Sequence, residues 1–135
     1  MSAKIIPTLR YADAPAAIDW LERAFGFQRL IVVPGEDGTI RHSQLTFENG
    51  IVMVGSERDD EYGETQRAPV PDGPVTQSVY VIVEDVDAHC ARAREAGARV
   101  IIEPEDQGPR GRFYSCRDPE GHLWSFGVYD PFADA

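Results

Sequence analysis

The sequence has few cysteines and no long apolar run. Its two cysteines, Cys90 and Cys116, show none of the CxxC or Cys/His spacing that a zinc site or a redox pair needs. No apolar run approaches the roughly 20 residues that cross a bilayer. The N-terminal residues MSAKIIPTLR also lack the apolar stretch and cleavage site of a signal peptide. We therefore expect a cytoplasmic protein whose thiols are buried and reduced.

Basic residues are outnumbered as well. The chain has 13 Lys and Arg residues against 23 Asp and Glu residues, for a formal charge of -10. This charge repels phosphate backbones and anionic lipids, so we expect neither nucleic acid nor a membrane as a partner. A length of 135 residues with 42% hydrophobic and 27% charged residues is typical of one soluble domain. We assign that domain to residues 1–135.

Sequence signatures of several enzyme classes are missing. There is no GxSxG elbow, P-loop, dinucleotide-binding glycine motif or HExxH. Adjacent carboxylates such as Glu84 and Asp85 fall at predicted helix starts, turns or loops, where they cap helices or stay solvated. No nucleophile with a matching base is evident from the sequence.

What is present is a clear order of elements in the first half. The stretch KIIPTLR predicts a strand, and Asp13 then caps a helix that stops at Gly26. Three strands follow: FQRLIVV, TIRHSQLTF and IVMVG. We expect these elements to form module 1, over about residues 3–55.

The second half repeats this order. A helix beginning at Asp85 or Asp87 and stopping at Gly97 lies between one strand, QSVYVIV, and three more, ARVIIEP, RGRFYSC and HLWSFGVY. We expect module 2 over about residues 77–129, after a linker rich in charge, proline and glycine over about residues 56–76.

Two stretches carry a family resemblance: YADAPAAIDWLERAFGF and DVDAHCARAREAGARVIIEPEDQGPRGRFYSCRDPEGHLWSFGVYD. They resemble the glyoxalase/bleomycin-resistance/dioxygenase superfamily, also called vicinal oxygen chelate (VOC) proteins. The resemblance implies an α+β fold in which two βαβββ modules form a curled mixed sheet around a cleft, with the helices on the convex side. One fold hosts many activities, so function has to be argued from the site.

The resemblance also implies where a metal would bind. Metal-using relatives carry His, Glu or Gln on the first and last strands of each module, and such donors suit divalent cations. Counting from the capping aspartates and the turn glycines places these positions at Ile6, Val54, Ser78 and Ser125. None of the four is a credible ligand, so we expect no metal and no other cofactor.

Strand alternation sorts the remaining side chains between the core and the implied cleft. It predicts core positions for Trp124, Phe126 and Val128, and for Ile5 and Leu9 in the first strand. The predicted ligand-binding residues face the cleft or lie at its mouth: Thr8, Arg10, His42, Gln44, Val52, Val54, Ser78, Tyr80, Arg112, Phe113, Leu123 and Ser125.

Histidines and arginines are the strongest polar candidates in this set. His42 is the weak candidate for a catalytic base, since His89 on the second helix and His122 beside the turn are interpreted as structural. Arg10 and Arg112 each have two open interpretations. Either guanidinium could orient a carboxylate or phosphate of a ligand, or it could form a surface salt bridge.

We expect a metal-free protein that binds small molecules and resembles bleomycin-resistance and related drug-sequestering proteins. The alternative is a glyoxalase-like lyase, isomerase or dioxygenase with an atypical metal site or with metal-free acid/base chemistry. The resemblance further suggests a homodimer. The sequence does not identify the ligand, because periodicity does not fix the shape of a pocket.

Overall fold

The computed structural model describes residues 3–133 and contains two compact units, one up to Ala68 and the other from Pro69 onward. Within the described residues each unit has one α-helix and one four-stranded mixed sheet. The helix and strands of the first unit form module 1, and those of the second unit form module 2. The predicted α+β class with two βαβββ modules is confirmed, with a separate sheet in each module. The assignment of the whole chain to one domain stays a prediction.

Module 1 follows the predicted order of strand, helix and three strands. Its elements are β1 Thr8–Tyr11, α1 Ala14–Phe25, β2 Gln28–Pro34, β3 Ile40–Phe47 and β4 Gly50–Ser56. The strands lie in the order β1-β4-β3-β2, and β1 runs parallel to β4. Helix α1 begins where the Asp13 carboxylate accepts the Ala16 amide at 3.2 Å, and it ends at Gly26, whose φ of 90° suits glycine.

The first strand begins later than the sequence predicts. Pro7 has no amide proton to donate to a ladder, although its carbonyl accepts the Met53 amide at 2.9 Å. Ile5 therefore lies outside the sheet and is 96% exposed, so its predicted core position is wrong. Leu9 lies within β1, paired with Val54, and is half-buried.

Module 2 has the same plan. Its elements are β5 Val79–Ile82, α2 Val86–Glu95, β6 Arg99–Asp106, β7 Arg112–Arg117 and β8 Leu123–Gly127. The strands lie in the order β5-β8-β7-β6, again with the outer pair β5 and β8 parallel. Of the two possible caps, Asp85 is the one that accepts an amide of the first turn, that of Ala88 at 3.0 Å.

The core of module 2 contains two of the three predicted β8-region residues. Trp124 and Phe126 are fully buried, at 0% exposure, which confirms the alternation along this strand. Val128 is 40% exposed, so its predicted core position is wrong. The strand ends at Gly127, and the alternation that buries Trp124 and Phe126 therefore stops before Val128 is reached.

Asp118 organises the turn between β7 and β8. Its carboxylate is buried and accepts the backbone amides of Glu120 and His122 at 3.1 and 3.0 Å. The other carboxylate oxygen accepts the indole N–H of Trp124 at 3.0 Å. One side chain therefore closes the turn and ties it to the core, because a buried carboxylate needs such donors to offset its lost hydration.

The edge strands β2 and β6 carry a β-bulge at the same place in the repeat. The register skips Leu30 between Arg29 and Ile31 on β2, and it skips Ile101 between its neighbours on β6. The two skipped residues are 59% and 51% exposed, respectively. This shared irregularity supports a true structural repeat, because bulges occupy fixed places within a fold.

The predicted linker is divided between the two units. On the first side, Glu57 donates its amide to Tyr11, and the Gln66 side chain donates to the Thr8 carbonyl at 2.9 Å. On the second side, the Arg99 guanidinium binds the carboxylate of Asp72. Residues on either side of the boundary at 68 and 69 therefore hydrogen-bond to their own module.

Candidate functional site

Each sheet has one face covered by its own helix and one face that is not, which we call the helix face and the helix-free face. Residues directly opposite each other on paired strands share a face. In module 2, Tyr114 marks the helix face, since its hydroxyl lies 2.6 Å from Nδ1 of His89 on α2. In module 1, Arg29 marks it by pairing with Asp19 and Glu22 of α1.

The helix-free face of module 2 is a grid of apolar and hydroxyl side chains. Its middle row runs Ser115–Ser125–Tyr80 across three strands, with the Ser115 and Ser125 hydroxyl oxygens 2.7 Å apart. The flanking rows, taken from the same register, are Phe113–Gly127–Ile82 and Arg117–Leu123. Ser78 precedes β5 and is exposed. Sequence reasoning missed Ser115, although its alternation with Phe113 could have identified it.

Tyr80 lies across the sheet rather than standing away from it. A Cβ added to Gly127 would lie 2.8 Å from the Tyr80 hydroxyl oxygen, so only glycine leaves room for the phenol. The hydroxyl donates to the Tyr129 carbonyl at 2.8 Å, and burial is the main cause that raises the pKa of Tyr80 above 10.0. Tyr80 is therefore a protonated donor and a poor general base at neutral pH.

The helix-free face of module 1 is more polar. One row joins Thr8, Met53, Gln44 and Ile31. His42 follows on the same face, opposite Val33, and its Nε2 lies 3.1 Å from the side-chain nitrogen of Gln44. The strand register thus brings three predicted residues, Thr8, His42 and Gln44, to one surface. Their role in binding stays a prediction.

Arg10 lies on this same face, opposite Gly55. A Cβ at Gly55 would lie 2.4 Å from Nη1 of Arg10, so this glycine also makes room for a side chain that crosses the sheet. Nη1 donates to the Ser56 carbonyl at 3.3 Å, and the guanidinium lies over the ring of Tyr62, 5.4 Å from its centroid. Arg58 contacts the same ring at 5.3 Å. Arg10 is thus held against its own module by several contacts.

Two predicted ligand-binding residues lie on the wrong face. Val52 pairs with Leu45 and Val54 with Leu9 on the helix face, and the two valines are only 3% and 1% exposed. Counting from the turn glycine failed because Gly50 is already within β4, whereas the corresponding Gly121 precedes β8. Met53, and not Val54, occupies the position on the last strand of module 1 where the family resemblance implies a metal ligand.

Met53 is identified by the register of the parallel pairs. Thr8 lies opposite Met53 in module 1, as Tyr80 lies opposite Ser125 in module 2, and each of these first-strand residues stands five before its capping aspartate. The equivalence also relates Gly55 to Gly127. Pairing across strands, rather than spacing along one strand, defines corresponding positions in the two modules.

Arg112 is also on the helix face. It lies two residues before Tyr114 along β7, and its guanidinium forms a bidentate pair with Asp87 of α2 at 2.8 and 2.9 Å. Asp106 approaches the same guanidinium at 3.5 Å. The hydrogen bond from Arg112 holds the pKa of Asp87 below its usual value. Of the two interpretations, the salt bridge is the one that the geometry shows.

The other two histidines have structural surroundings. The His89 ring lies between α2 and the sheet, with its centroid 4.2 Å from that of Phe126. His122 donates its amide to Asp118 within the turn. The His89 ring therefore lies on the helix face, which agrees with its structural interpretation from the sequence. The structural interpretation of His122 stays a prediction.

The residues at the metal positions do not fit a divalent cation. The strand register gives Met53 and Ser125, and the spacing from the capping aspartates gives Ile6 and Ser78. None of these four side chains offers a carboxylate, imidazole or amide oxygen. Among residues 3–133, no three His, Cys, Asp or Glu side chains are grouped closely enough to hold a metal ion. We therefore derive no chemistry through a metal.

One shallow pocket of about 340 Å³ lies at the C-terminal end of α1. Its lining is mostly polar and consists of Gly26, Gln28, Thr46, Phe47 and Glu48. No sequence pattern predicts this pocket, because its residues come together only where the end of α1 meets the β3–β4 turn. It lies near the edge of module 1, away from the row that contains Thr8 and Met53.

Comparison with known proteins agrees with this architecture. The family model of the Glyoxalase/Bleomycin resistance protein/Dioxygenase superfamily matches residues 6–126. The chain belongs to this superfamily. No helix within residues 3–133 has the length and apolar character to span a membrane.

Individual relatives extend the match over most of the chain. An uncharacterized protein of Mycobacterium bovis, Mb0911c, is 36% identical over 121 residues, which is 90% of this chain and 80% of the relative. The crystal structure of TioX from Micromonospora sp. ML1 is 38% identical, covers 96% of this chain and 100% of its own, and superposes with a TM-score of 0.73.

A more distant structure has the same fold. TnmS3 from Streptomyces sp. CB03234, described as an antibiotic binding protein, is 23% identical and covers 96% of this chain and 99% of its own, with a TM-score of 0.69. At this identity the likeness shows the fold alone.

Proposed function

We propose that this superfamily member binds a small organic molecule without a metal ion, and that the helix-free face of each module is a binding surface. The observation that carries the proposal is the residue set at the four metal positions that the family resemblance implies: Met53 and Ser125 by strand register, and Ile6 and Ser78 by spacing from the capping aspartates. An aliphatic side chain, a thioether and two neutral hydroxyls are a poor ligand set for a hard divalent cation. They are suited to contacting an organic ligand directly.

The composition of both faces supports binding. Ligand sites combine apolar walls with a few polar groups that fix orientation. Module 1 offers Thr8, His42 and Gln44 beside Met53, and module 2 offers Ser125 beside Leu123. The antibiotic binding of TnmS3, a protein of the same fold, is consistent with such a role.

The rival function is an enzyme that uses acid/base chemistry without a metal. Its candidate groups are His42, Arg10 and Tyr80. The geometry disfavours it, because the Tyr80 hydroxyl donates its hydrogen bond to the Tyr129 carbonyl and the Arg10 guanidinium is held by Ser56 and Tyr62. A His42→Ala variant that lost turnover of a substrate while retaining its binding would support the enzyme.

Metal analysis and thermal unfolding test the proposal together. Purified protein should contain no stoichiometric zinc, nickel, manganese or iron. Bleomycin and other peptide or aromatic antibiotics should be screened for a rise in Tm, with and without EDTA. A ligand present at 100 times its Kd stabilises the folded state by about 2.7 kcal/mol. We expect a stabilising compound whose effect EDTA leaves unchanged, whereas stoichiometric metal or an EDTA-sensitive shift would overturn the metal-free function.

The homodimer implied by the family resemblance is part of the proposal and has a separate test. Sedimentation equilibrium with and without a stabilising ligand measures the assembly state. A dimer is expected in both conditions, and a monomer that binds the ligand with full affinity would contradict this part while leaving small-molecule binding intact.

A further inference from the structure

An exposed aromatic patch lies on the helix-free face of module 2, which we define by Tyr80, Ile82 and Phe113. Tyr80 and Ile82 are 44% and 42% exposed, although the sheet behind them is closely packed. Phe113 lies opposite Gly127, and a Cβ on that glycine would come within 3.0 Å of the Phe113 Cβ. Gly127 is buried beneath the Tyr80 ring, and Phe113 lies beside it, so the exposed surface here is formed by the two aromatic side chains and Ile82.

The orientation of Tyr80 is fixed before any ligand binds. Its hydroxyl is held by the Tyr129 carbonyl at 2.8 Å, and Gly127 lies beneath the ring. A ring held in this way loses little conformational freedom when a second ring stacks against it. The patch is thus preorganised for a flat partner.

Two carboxylates lie beside this patch. Glu105 is directly opposite Phe113 in the β6–β7 register and so shares its face. Asp130 follows Tyr129, whose carbonyl accepts the Tyr80 hydroxyl. Within residues 3–133, the Asp130 carboxylate accepts one hydrogen bond, from the backbone amide of Phe132 at 2.9 Å. Negative charge therefore flanks the aromatic patch at two points.

Within residues 3–133, neither Glu105 nor Asp130 forms an ion pair with an arginine. Arg112 is on the opposite face of the sheet, where Asp87 and Asp106 already balance it. Arg110 lies over the ring of Tyr129 at 6.0 Å, so its guanidinium is directed at a different aromatic group. The formal charge of -10 adds a general attraction for cations.

We propose that the aromatic patch, with Glu105 and Asp130, binds the planar aromatic cation portion of the ligand. The inference rests on the proposed small-molecule function and names the chemical class that module 2 selects. Stacking on Tyr80 and Phe113 supplies contact area, and a ring cation is attracted both to their faces and to the two carboxylates.

Three acridines of closely similar size provide the probes. Proflavine is cationic at neutral pH, acridine is neutral at mildly alkaline pH, and acridine-9-carboxylate is anionic. Each should be titrated into the full-length protein by isothermal calorimetry at low and high salt. We expect proflavine to bind about tenfold more tightly than acridine, and acridine more tightly than the carboxylate, with the preference reduced by salt.

Paired variants separate charge from stacking. The double substitution Glu105→Gln and Asp130→Asn should bring proflavine to the affinity of acridine and leave acridine unchanged. The matched control, Glu84→Gln with Glu95→Gln, removes the same charge from exposed positions outside the patch and should keep the preference. Tyr80→Ala should weaken all three probes.

The outcomes distinguish this inference from the broader function. Equal binding of the cationic and neutral probes, or equal loss of preference in the control pair, would overturn the cation site while small-molecule binding remained. No binding of any acridine would overturn the aromatic patch as a ligand surface. In that case a hit in the antibiotic screen would still uphold the proposed function.

Discussion

The two modules share a backbone plan and differ in what crosses the sheet. In each module a first-strand side chain lies over a last-strand glycine and donates to a backbone carbonyl beyond it. In module 1 this is the Arg10 guanidinium over Gly55, and in module 2 it is the Tyr80 phenol near Gly127. Both modules thus keep a glycine that leaves room for a side chain to cross the sheet, while the chemical type of that side chain differs between them.

The modules also differ in how their last two strands are joined. The β3–β4 turn consists of the exposed residues Glu48 and Asn49, and Glu48 accommodates a φ of 51°. The β7–β8 turn is instead built around the buried carboxylate of Asp118. The stability of the β7–β8 turn therefore depends on a single buried carboxylate, whereas the exposed residues Glu48 and Asn49 of the β3–β4 turn include no such group.

The largest effect is expected from removing that carboxylate. Asp118→Ala leaves two part-buried amides and the buried Trp124 indole N–H without this acceptor, which should lower the free energy of unfolding by about 3 kcal/mol. Urea unfolding followed by tryptophan fluorescence measures the change. Asn49→Ala, in the turn of module 1, is the control and should stay within about 0.5 kcal/mol. Similar losses at both positions would contradict the asymmetry between the turns.

A smaller effect is expected from filling the space beneath the crossing side chains. Gly127→Ala forces a methyl against the Tyr80 hydroxyl and the Phe113 Cβ, and overpacking of this kind costs about 1–3 kcal/mol. Gly55→Ala meets only the flexible end of Arg10 at close range and should cost less. Thermal unfolding of both variants makes the comparison.

The double variant Gly127→Ala with Tyr80→Ala serves as the control for this pair. It should recover part of the loss, because the phenol no longer competes for the space. If Gly55→Ala proved the more destabilising of the two, the crossing side chains would not be the reason for the glycines.

Alkaline pH should weaken module 2 in particular. Burial raises the pKa of the Cys116 thiol from 9.0 to about 12, whereas residues 1–68 contain no cysteine. Below pH 9 the thiol is protonated in both the folded and unfolded states, so its contribution is fully present. Above pH 9 only the unfolded state ionises, and stability falls by about 1.4 kcal/mol per pH unit until about pH 12.

Urea unfolding at pH 8, 9 and 10 measures this dependence on the intact protein. In Cys116→Ala the loss between pH 9 and pH 10 should be smaller than in the parent protein, whatever the cost of the substitution itself. An unchanged slope would show that other groups, such as the buried Tyr114 hydroxyl, account for the alkaline loss.

The smallest effects are expected from the ion pairs that join each sheet to its helix. Arg29 binds Asp19 and Glu22 in module 1, and Arg112 binds Asp87 in module 2. Arg29 is exposed, Arg112 is half-buried, and their carboxylate partners are exposed or half-buried. Ion pairs that water reaches in this way contribute little. Arg29→Met and Arg112→Met should each shift Tm by less than Gly127→Ala, and by similar amounts.

The Arg112→Met variant also tests whether Arg112 takes part in ligand binding, as the sequence predicts. Because Arg112 is on the helix face, Arg112→Met should leave binding of proflavine unchanged. A large loss of proflavine affinity would place this guanidinium at the ligand after all.

Much of the fold could be predicted because its signals are local. Asp13 and Gly26 delimit α1 through their own hydrogen bond and backbone angle. The alternation around Trp124 and Phe126 predicted their burial for the same reason, since successive side chains on a strand alternate sides. Errors of a few residues occurred where strands end, as at Ile5 and Val128.

The candidate site was less predictable, since it depends on partners distant in sequence. Alternation placed Thr8, His42 and Gln44 on one side of the first sheet, but no local pattern shows that Arg112 is bound by Asp87. Nor could the sequence show that Ser115 and Ser125 share a hydrogen bond, because that requires the β7–β8 register.

By itself the sequence determined the family, the order of elements, the helix caps and the absence of metal-binding side chains at the key positions. Tertiary structure decided which residue lies at each of these positions. It showed that Met53, and not Val54, lies at the last-strand position of module 1, and that Val52 and Arg112 lie on the helix faces. The physical reason is that a shift of one residue moves a side chain to the other side of a sheet. Only hydrogen-bonded pairing with a neighbouring strand fixes that register.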